Sequence, residues 1–75
     1  MLISDLQRKD IVNIADGSRL GKIVDLNINE EGLIINLIVE PLKILRRISF
    51  ANEINITFKQ IVTIGSDVIL VNLNQ

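Results

Sequence analysis

The sequence contains no cysteine, no histidine, no tryptophan and no tyrosine. Without cysteine it can form neither a disulfide framework nor a thiolate zinc site. Without histidine it lacks the commonest metal ligand and the usual general base at neutral pH, so its serine and threonine hydroxyls have no imidazole to activate them. We therefore expect no catalytic residues, no metal, no cofactor and no small-molecule substrate, and hence no enzyme.

Excess charge and long apolar runs are also absent. The net charge is -1 at pH 7, whereas nucleic-acid modules usually carry a basic excess that neutralises phosphates. No uncharged run approaches the roughly 18 residues that span a bilayer, and residues 1–10 lack the basic start and apolar stretch of a signal peptide. With 75 residues, close to the lower limit for one self-sufficient core, we expect a single cytoplasmic domain over residues 1–75.

Strand patterns dominate the remaining sequence, which is 48% hydrophobic and rich in Ile, Leu and Val. Turn signals such as Asp16-Gly17 and Gly32 separate short apolar or alternating segments. The predicted strands are Asp10–Ile14, Leu20–Asn29, Leu33–Glu40, Glu53–Phe58, Val62–Ile64 and Val68–Val71. Lys59 and Gln60 form a single helical turn between two of them. The sequence thus predicts an all-β fold, a small barrel of about six short strands with one short helical turn and an aliphatic core.

Alternation along each strand also predicts which side chains point inward. The predicted inward-facing residues are Leu20, Val24, Leu26 and Ile28 in the second strand, Leu33, Ile35, Leu37 and Val39 in the third, and Ile54, Ile56, Phe58 and Ile61 near the end. If Phe58 is buried, Phe58→Ala costs about 3–5 kcal/mol.

Two predicted strands, Leu33–Glu40 and Val68–Val71, are apolar on both faces. Some of their aliphatic side chains must therefore point outward, because the inner face of a small barrel cannot hold them all. The candidate self-association residues are Ile34, Ile38, Ile69 and Val71. Exposed apolar patches of a few hundred Å² usually mark interaction sites. We therefore expect a homo-oligomer, most simply a dimer.

The segment Leu42–Asn52 breaks the strand period and mixes basic with apolar residues. The candidate partner-contact residues are Lys43, Leu45, Arg46, Arg47 and Phe50. Two interpretations stay open. The segment is a loop that contacts a protein, an RNA or an anionic membrane surface, or it is a lid that buries its aliphatic side chains on the barrel while the basic groups stay in water.

Two long stretches carry a resemblance to a known family. The stretch "DGSRLGKIVDLNINEEGLIINLIVEP" resembles the opening of PRC-barrel domains, and "INITFKQIVTIGSDVILV" resembles the closing pattern of small stand-alone PRC-barrel proteins of the YlmC/YmxH sporulation type. The likeness runs from about Leu6 to Leu73, with Phe58 where tryptophan is more usual. It implies a PRC-barrel-like barrel that serves as a binding or assembly module, with no catalytic residues.

Two functions therefore compete. The first is a non-enzymatic module that acts through protein–protein contacts with an unidentified partner, in sporulation as the resemblance implies. The alternative is a small RNA-binding barrel in ribosome or RNA maturation, using Lys43, Arg46 and Arg47. The acidic balance of charge and the missing tyrosine and tryptophan disfavour the alternative.

Overall fold

A computed structural model describes residues 1–41 and 53–74. Its elements in chain order are helix α1 (Ile3–Gln7), strands β1 (Asp10–Asn13), β2 (Ser18–Ile28), β3 (Ile34–Pro41) and β4 (Ile54–Thr57), a 3₁₀ turn (Phe58–Gln60), and strands β5 (Ile61–Ile64) and β6 (Val68–Val71). The predicted all-β class and the single short helical turn before β5 are confirmed. Helix α1 was not predicted.

The six strands form one sheet in the order β4-β3-β2-β1-β6-β5. Neighbours are antiparallel except for β1 and β6, which are parallel. The outermost strands β4 and β5 are joined by the three residues of the 3₁₀ turn. Because so short a connection cannot cross a flat six-stranded sheet, the sheet curls into a half-barrel and brings its two edges together.

Among the described residues, the hydrophobic core inside this curl is aliphatic, as the sequence predicted. Its buried residues are Ile11, Leu20, Ile23, Leu37, Val39, Ile56, Ile69 and Val71. One polar side chain, Asn13, lies among them and accepts a hydrogen bond from the backbone N–H of Ala15 (3.2 Å). Within residues 1–41 and 53–74, no buried side-chain nitrogen or oxygen lacks a hydrogen-bond partner, as expected of a well-packed interior.

A β-bulge in β2 overturns part of the predicted inner face. Ile23 pairs with Val39 and Asp25 with Ile38, so that Val24 is an extra residue without an opposite partner. A bulge of this kind breaks the two-residue alternation. As a result Ile23 is buried and Val24 is exposed, and Ile28, at the outer end of the strand, is exposed as well. The prediction that Val24 and Ile28 point into the core is wrong.

The third strand is buried at one end only. Leu37 and Val39 lie in the core as predicted, but Leu33 and Ile35 are exposed. A second irregularity between Asn27 and Ile28 shifts the register at this end. The prediction of burial is therefore wrong for Leu33 and Ile35.

The closing strands show a similar mixture. Ile56 is fully buried, and Ile54 and Ile61 pack against the core. Phe58, however, is 49% exposed. It is the first residue of the 3₁₀ turn, where strand alternation no longer sets the direction of the side chain, so its predicted burial is wrong.

Candidate contact surfaces

The predicted partner-contact residues lie outside the described part of the chain. Lys43, Leu45, Arg46, Arg47 and Phe50 all fall between the end of β3 and the start of β4. Their role, and the choice between a contact loop and a lid, stay predictions.

The predicted self-association residues separate into two groups. Ile69 and Val71 are fully buried, because the parallel register sets them opposite Ile11 and Asn13, which are buried on β1. Assigning these two side chains to an external face was wrong. Ile34 is half-buried and packs against the core, and Ile38 is half-buried. Self-association thus stays a prediction. The apolar residues that the structure exposes are different from the four that were predicted to mediate it.

Part of the exposed apolar surface is at the far end of the β2–β3 hairpin. We call it the hairpin-end patch, and it consists of Ile28, Leu33, Ile35 and Phe58, which are 56%, 61%, 53% and 49% exposed. Asn36 and Thr57 form the last pair of the β3–β4 ladder, and Ile35 and Phe58 are the chain neighbours of that pair on its outer side. The 3₁₀ turn that contains Phe58 contacts β3. Four large apolar side chains therefore meet water at one end of the molecule.

The patch is exposed because the hairpin extends beyond its neighbours. Strand β4 pairs with β3 only from Asn36 to Val39, and β1 pairs with β2 only from Ser18 to Gly21. Within residues 1–41 and 53–74, the outer end of the hairpin therefore has no third strand beside it, and the molecule is elongated, 38 × 24 × 22 Å.

The turn at the hairpin tip is well defined. The Oδ1 of Asn29 accepts hydrogen bonds from the backbone N–H groups of Glu31 (3.0 Å) and Leu33 (2.9 Å). Gly32 adopts φ +88°, a left-handed conformation that glycine reaches at little cost. The side chains at the tip are thereby presented on an ordered turn.

A row of asparagines fixes the strands that carry the patch. The Nδ2 of Asn27 donates to the Oδ1 of Asn36 (2.7 Å), and the Nδ2 of Asn36 donates toward the Oδ1 of Asn55 (3.4 Å). These contacts run across β2, β3 and β4. The three asparagines are polar residues in otherwise apolar strands. Because their side chains pair across the strands, they help to set the register.

A charged surface lies near α1. The Oδ2 of Asp10 accepts from Arg19 (2.8 Å), its Oδ1 lies 3.8 Å from the Nζ of Lys22, and that same Nζ donates to the carbonyl oxygen of Arg8 (2.9 Å). Arg8 in turn pairs with Asp5 (2.6 Å). A depression beside these groups is lined by Asp5, Arg8, Lys9, Asp10, Ser66 and Asp67. Acidic and basic side chains lie close together on this surface, and several of them form ion pairs.

Asp5 on this surface has a pKa shifted away from that of a general acid. The backbone N–H of Leu2 bonds to Asp5 and, with the nearby Arg8 charge, lowers the pKa of its carboxyl group. A general acid at neutral pH needs the opposite shift. Among residues 1–41 and 53–74, no group of three or more acidic side chains is arranged to hold a metal ion. The two ion pairs of Asp10 join β1 to β2, and the hydrogen bond from Lys22 to the carbonyl oxygen of Arg8 fastens the end of α1 to β2.

Over the same described ranges, none of the helices has the length and apolar character needed to cross a membrane. The cytoplasmic location stays a prediction.

Comparison with known proteins connects this geometry to a family. The PRC-barrel domain matches residues 1–75. The chain is 41% identical to the "Probable sporulation protein YlmC" of Bacillus subtilis, over 97% of this chain and 93% of that protein. It is 38% identical to an uncharacterized protein of Clostridium acetobutylicum, over 93% of this chain and 82% of that protein. With its curled six-stranded sheet and these relatives, the chain belongs to the PRC-barrel domain family.

Proposed function

We propose that this protein is a sporulation-related binding module that acts through protein–protein contacts and performs no catalysis. The sporulation part rests on its 41% identity to a relative named as a probable sporulation protein. The binding part rests on the structure of the chain itself.

The observation that carries the binding role is the hairpin-end patch. Ile28, Leu33, Ile35 and Phe58 are each about half exposed or more, although the same chain buries eight aliphatic residues completely or nearly so. Contiguous apolar surface of a few hundred Å² on a small soluble protein usually marks a site of interaction. The hydrogen-bonded turn at Asn29 and the pairing of β2 with β3 position three of these side chains, which suits a preformed contact surface.

The chemistry of the chain supports a non-catalytic role. The sequence offers no histidine or cysteine. The two described carboxyl groups with a clear shift, Asp5 and Asp16, both have a lowered pKa, because hydrogen bonds favour their charged forms. Carboxylates held in this way are poor proton donors at neutral pH.

Genetic complementation tests the proposal. In a spore-forming host that carries this chain, deletion of its gene is expected to reduce spore yield, and the unmodified gene is expected to restore it. Ile35→Glu, which places a charge in the patch, should restore spore yield poorly at an equal protein level.

Val62→Glu is the matched control, because Val62 is an aliphatic strand residue that is 49% exposed and lies outside the patch. It should restore spore yield fully. Normal sporulation of the deletion strain would reject the sporulation role, and full rescue by Ile35→Glu would reject the patch as the functional contact.

A further inference from the structure

We propose that the hairpin-end patch binds the same patch of a second copy of this chain across a two-fold axis. The resulting homodimer rests on the proposed function, since it names the partner of the contact surface assigned there. It also replaces the self-association residues expected from sequence, of which Ile69 and Val71 lie in the core.

The first argument is apolar area. Four side chains at 49–61% exposure lie near the outer end of the β2–β3 hairpin. Stable dimers bury about 800 Å² on each partner, with an apolar centre and a polar rim. The patch supplies such a centre, and its burial would add to the limited core that a chain of this length can form alone.

The second argument is charge complementarity. Glu30 and Glu31 are exposed in the turn at the tip of the hairpin, and Lys59 is exposed in the 3₁₀ turn, directly after Phe58. Within the described residues, none of these three side chains takes part in an ion pair. Acidic residues thus precede Leu33 and Ile35 at the hairpin tip, and a basic residue follows Phe58, the member of the patch that lies outside the hairpin.

Such an arrangement is self-complementary. A two-fold axis through the middle of the patch brings the acidic turn of each copy next to Lys59 of the other, so that both ends are neutralised at once. Closed two-fold symmetry requires that the same patch serve both subunits. Opposite charges at the rim also set the orientation of the copies and penalise a parallel arrangement, in which like charges meet.

Sedimentation equilibrium from micromolar to several hundred micromolar concentration provides the first test. The unmodified chain is expected to sediment at twice its 8.4 kDa mass as concentration rises. Ile35→Glu should weaken dimerisation at least tenfold, and Val62→Glu should leave it unchanged. Circular dichroism verifies that each variant is folded, and Leu33→Glu at the exposed tip replaces Ile35→Glu if the latter unfolds.

Charge reversal then tests the arrangement. Lys59→Glu alone, or Glu30→Lys with Glu31→Lys, should weaken the dimer, and the triple combination should restore it because the attraction is rebuilt with opposite signs. A single 8.4 kDa species at all concentrations, an undisturbed dimer with Ile35→Glu, or a failure of the triple combination to restore association would each overturn the inference. The unmodified chain could prove monomeric while the Ile35→Glu variant still fails in complementation. That result would reject the homodimer but retain the proposed binding role of the patch.

Discussion

A Cβ atom on Gly21 would overlap the backbone carbonyl oxygen of Glu40 on the neighbouring strand. Gly21 lies in the middle of the sheet, where it pairs with Ile11 on one side and Pro41 on the other. Its φ of +146° is a conformation that residues with side chains rarely adopt. The close approach of β2 and β3 at this point depends on the absence of a side chain.

Gly21→Ala should therefore destabilise the fold strongly. We expect a loss of about 3 kcal/mol or more, from backbone strain together with the steric overlap, measured as the free energy of unfolding in urea. Gly17→Ala is the control, because Gly17 has φ +73° but open space around its Cα. It should cost only about 1–2 kcal/mol from backbone strain, and equal losses would contradict the steric explanation.

Truncation of the smaller residue, Ile56, to alanine should cost more stability than truncation of the larger residue, Phe58. Ile56 is fully buried and Phe58 is 49% exposed. We expect Ile56→Ala to cost about 2–5 kcal/mol as a cavity forms in the core, and Phe58→Ala to cost about 1–2 kcal/mol because much of the ring already contacts water. Thermal or urea unfolding of both variants measures the difference, and a larger loss for Phe58→Ala would show that the ring is buried in solution.

Asp16 should give a measurable acid dependence of stability. The hydroxyl of Ser18 (2.7 Å) and then its backbone N–H (2.9 Å) donate to the Oδ1 of Asp16 and lower the pKa of this carboxyl group below its ordinary value of 3.8. Since the folded pKa is below the unfolded one, the stabilisation is complete above pH 3.8 and is lost as the pH falls through the folded value.

Asp16→Asn should accordingly flatten the decline of unfolding free energy below pH 3.8, as measured by urea unfolding at a series of pH values. Glu31→Gln serves as the control, because this exposed carboxylate accepts no hydrogen bond among the described residues. If the curves of Asp16→Asn and the unmodified chain run parallel, the Ser18 contacts do not stabilise the ionised form.

The RNA-binding alternative makes a separate prediction for the basic residues outside the described ranges. Phosphate binding by Lys43, Arg46 and Arg47 would fall steeply as salt rises. We expect the unmodified chain and the variant with all three changed to Glu to bind structured RNA equally weakly in filter-binding titrations at two salt concentrations. Lys59→Glu controls for a change of charge elsewhere. Salt-sensitive binding that only the triple variant loses would support the alternative.

The alternating patterns located the strands more reliably than they oriented the side chains. Predicted and observed strands agree to within a few residues, since β-branched segments and turn signals are local properties of the chain. The short helix α1 escaped prediction because its five residues carry too few positions to show a period. The signal in hindsight is Asp5, whose carboxylate accepts from the backbone N–H of Leu2 (3.0 Å) at the start of the helix.

The candidate site was the least predictable feature. Val68–Val71 is apolar at every position, so that alternation alone could not decide whether Ile69 and Val71 or their neighbours face the core. The parallel pairing with β1 made that choice. The hairpin-end patch was missed for a related reason, since Ile35 and Phe58 continue buried alternating patterns past the point where the neighbouring strands end.

The sequence by itself determined the all-β class, the aliphatic core, the turns at Gly17 and Gly32, and the family, because each follows from local composition or from motifs that run along most of the chain. Only the tertiary structure decided which aliphatic side chains remain outside. The bulge at Val24 and the short third strands beside the β2–β3 hairpin depend on pairing between distant segments. A one-residue change in such pairing moves a side chain from the core to the surface.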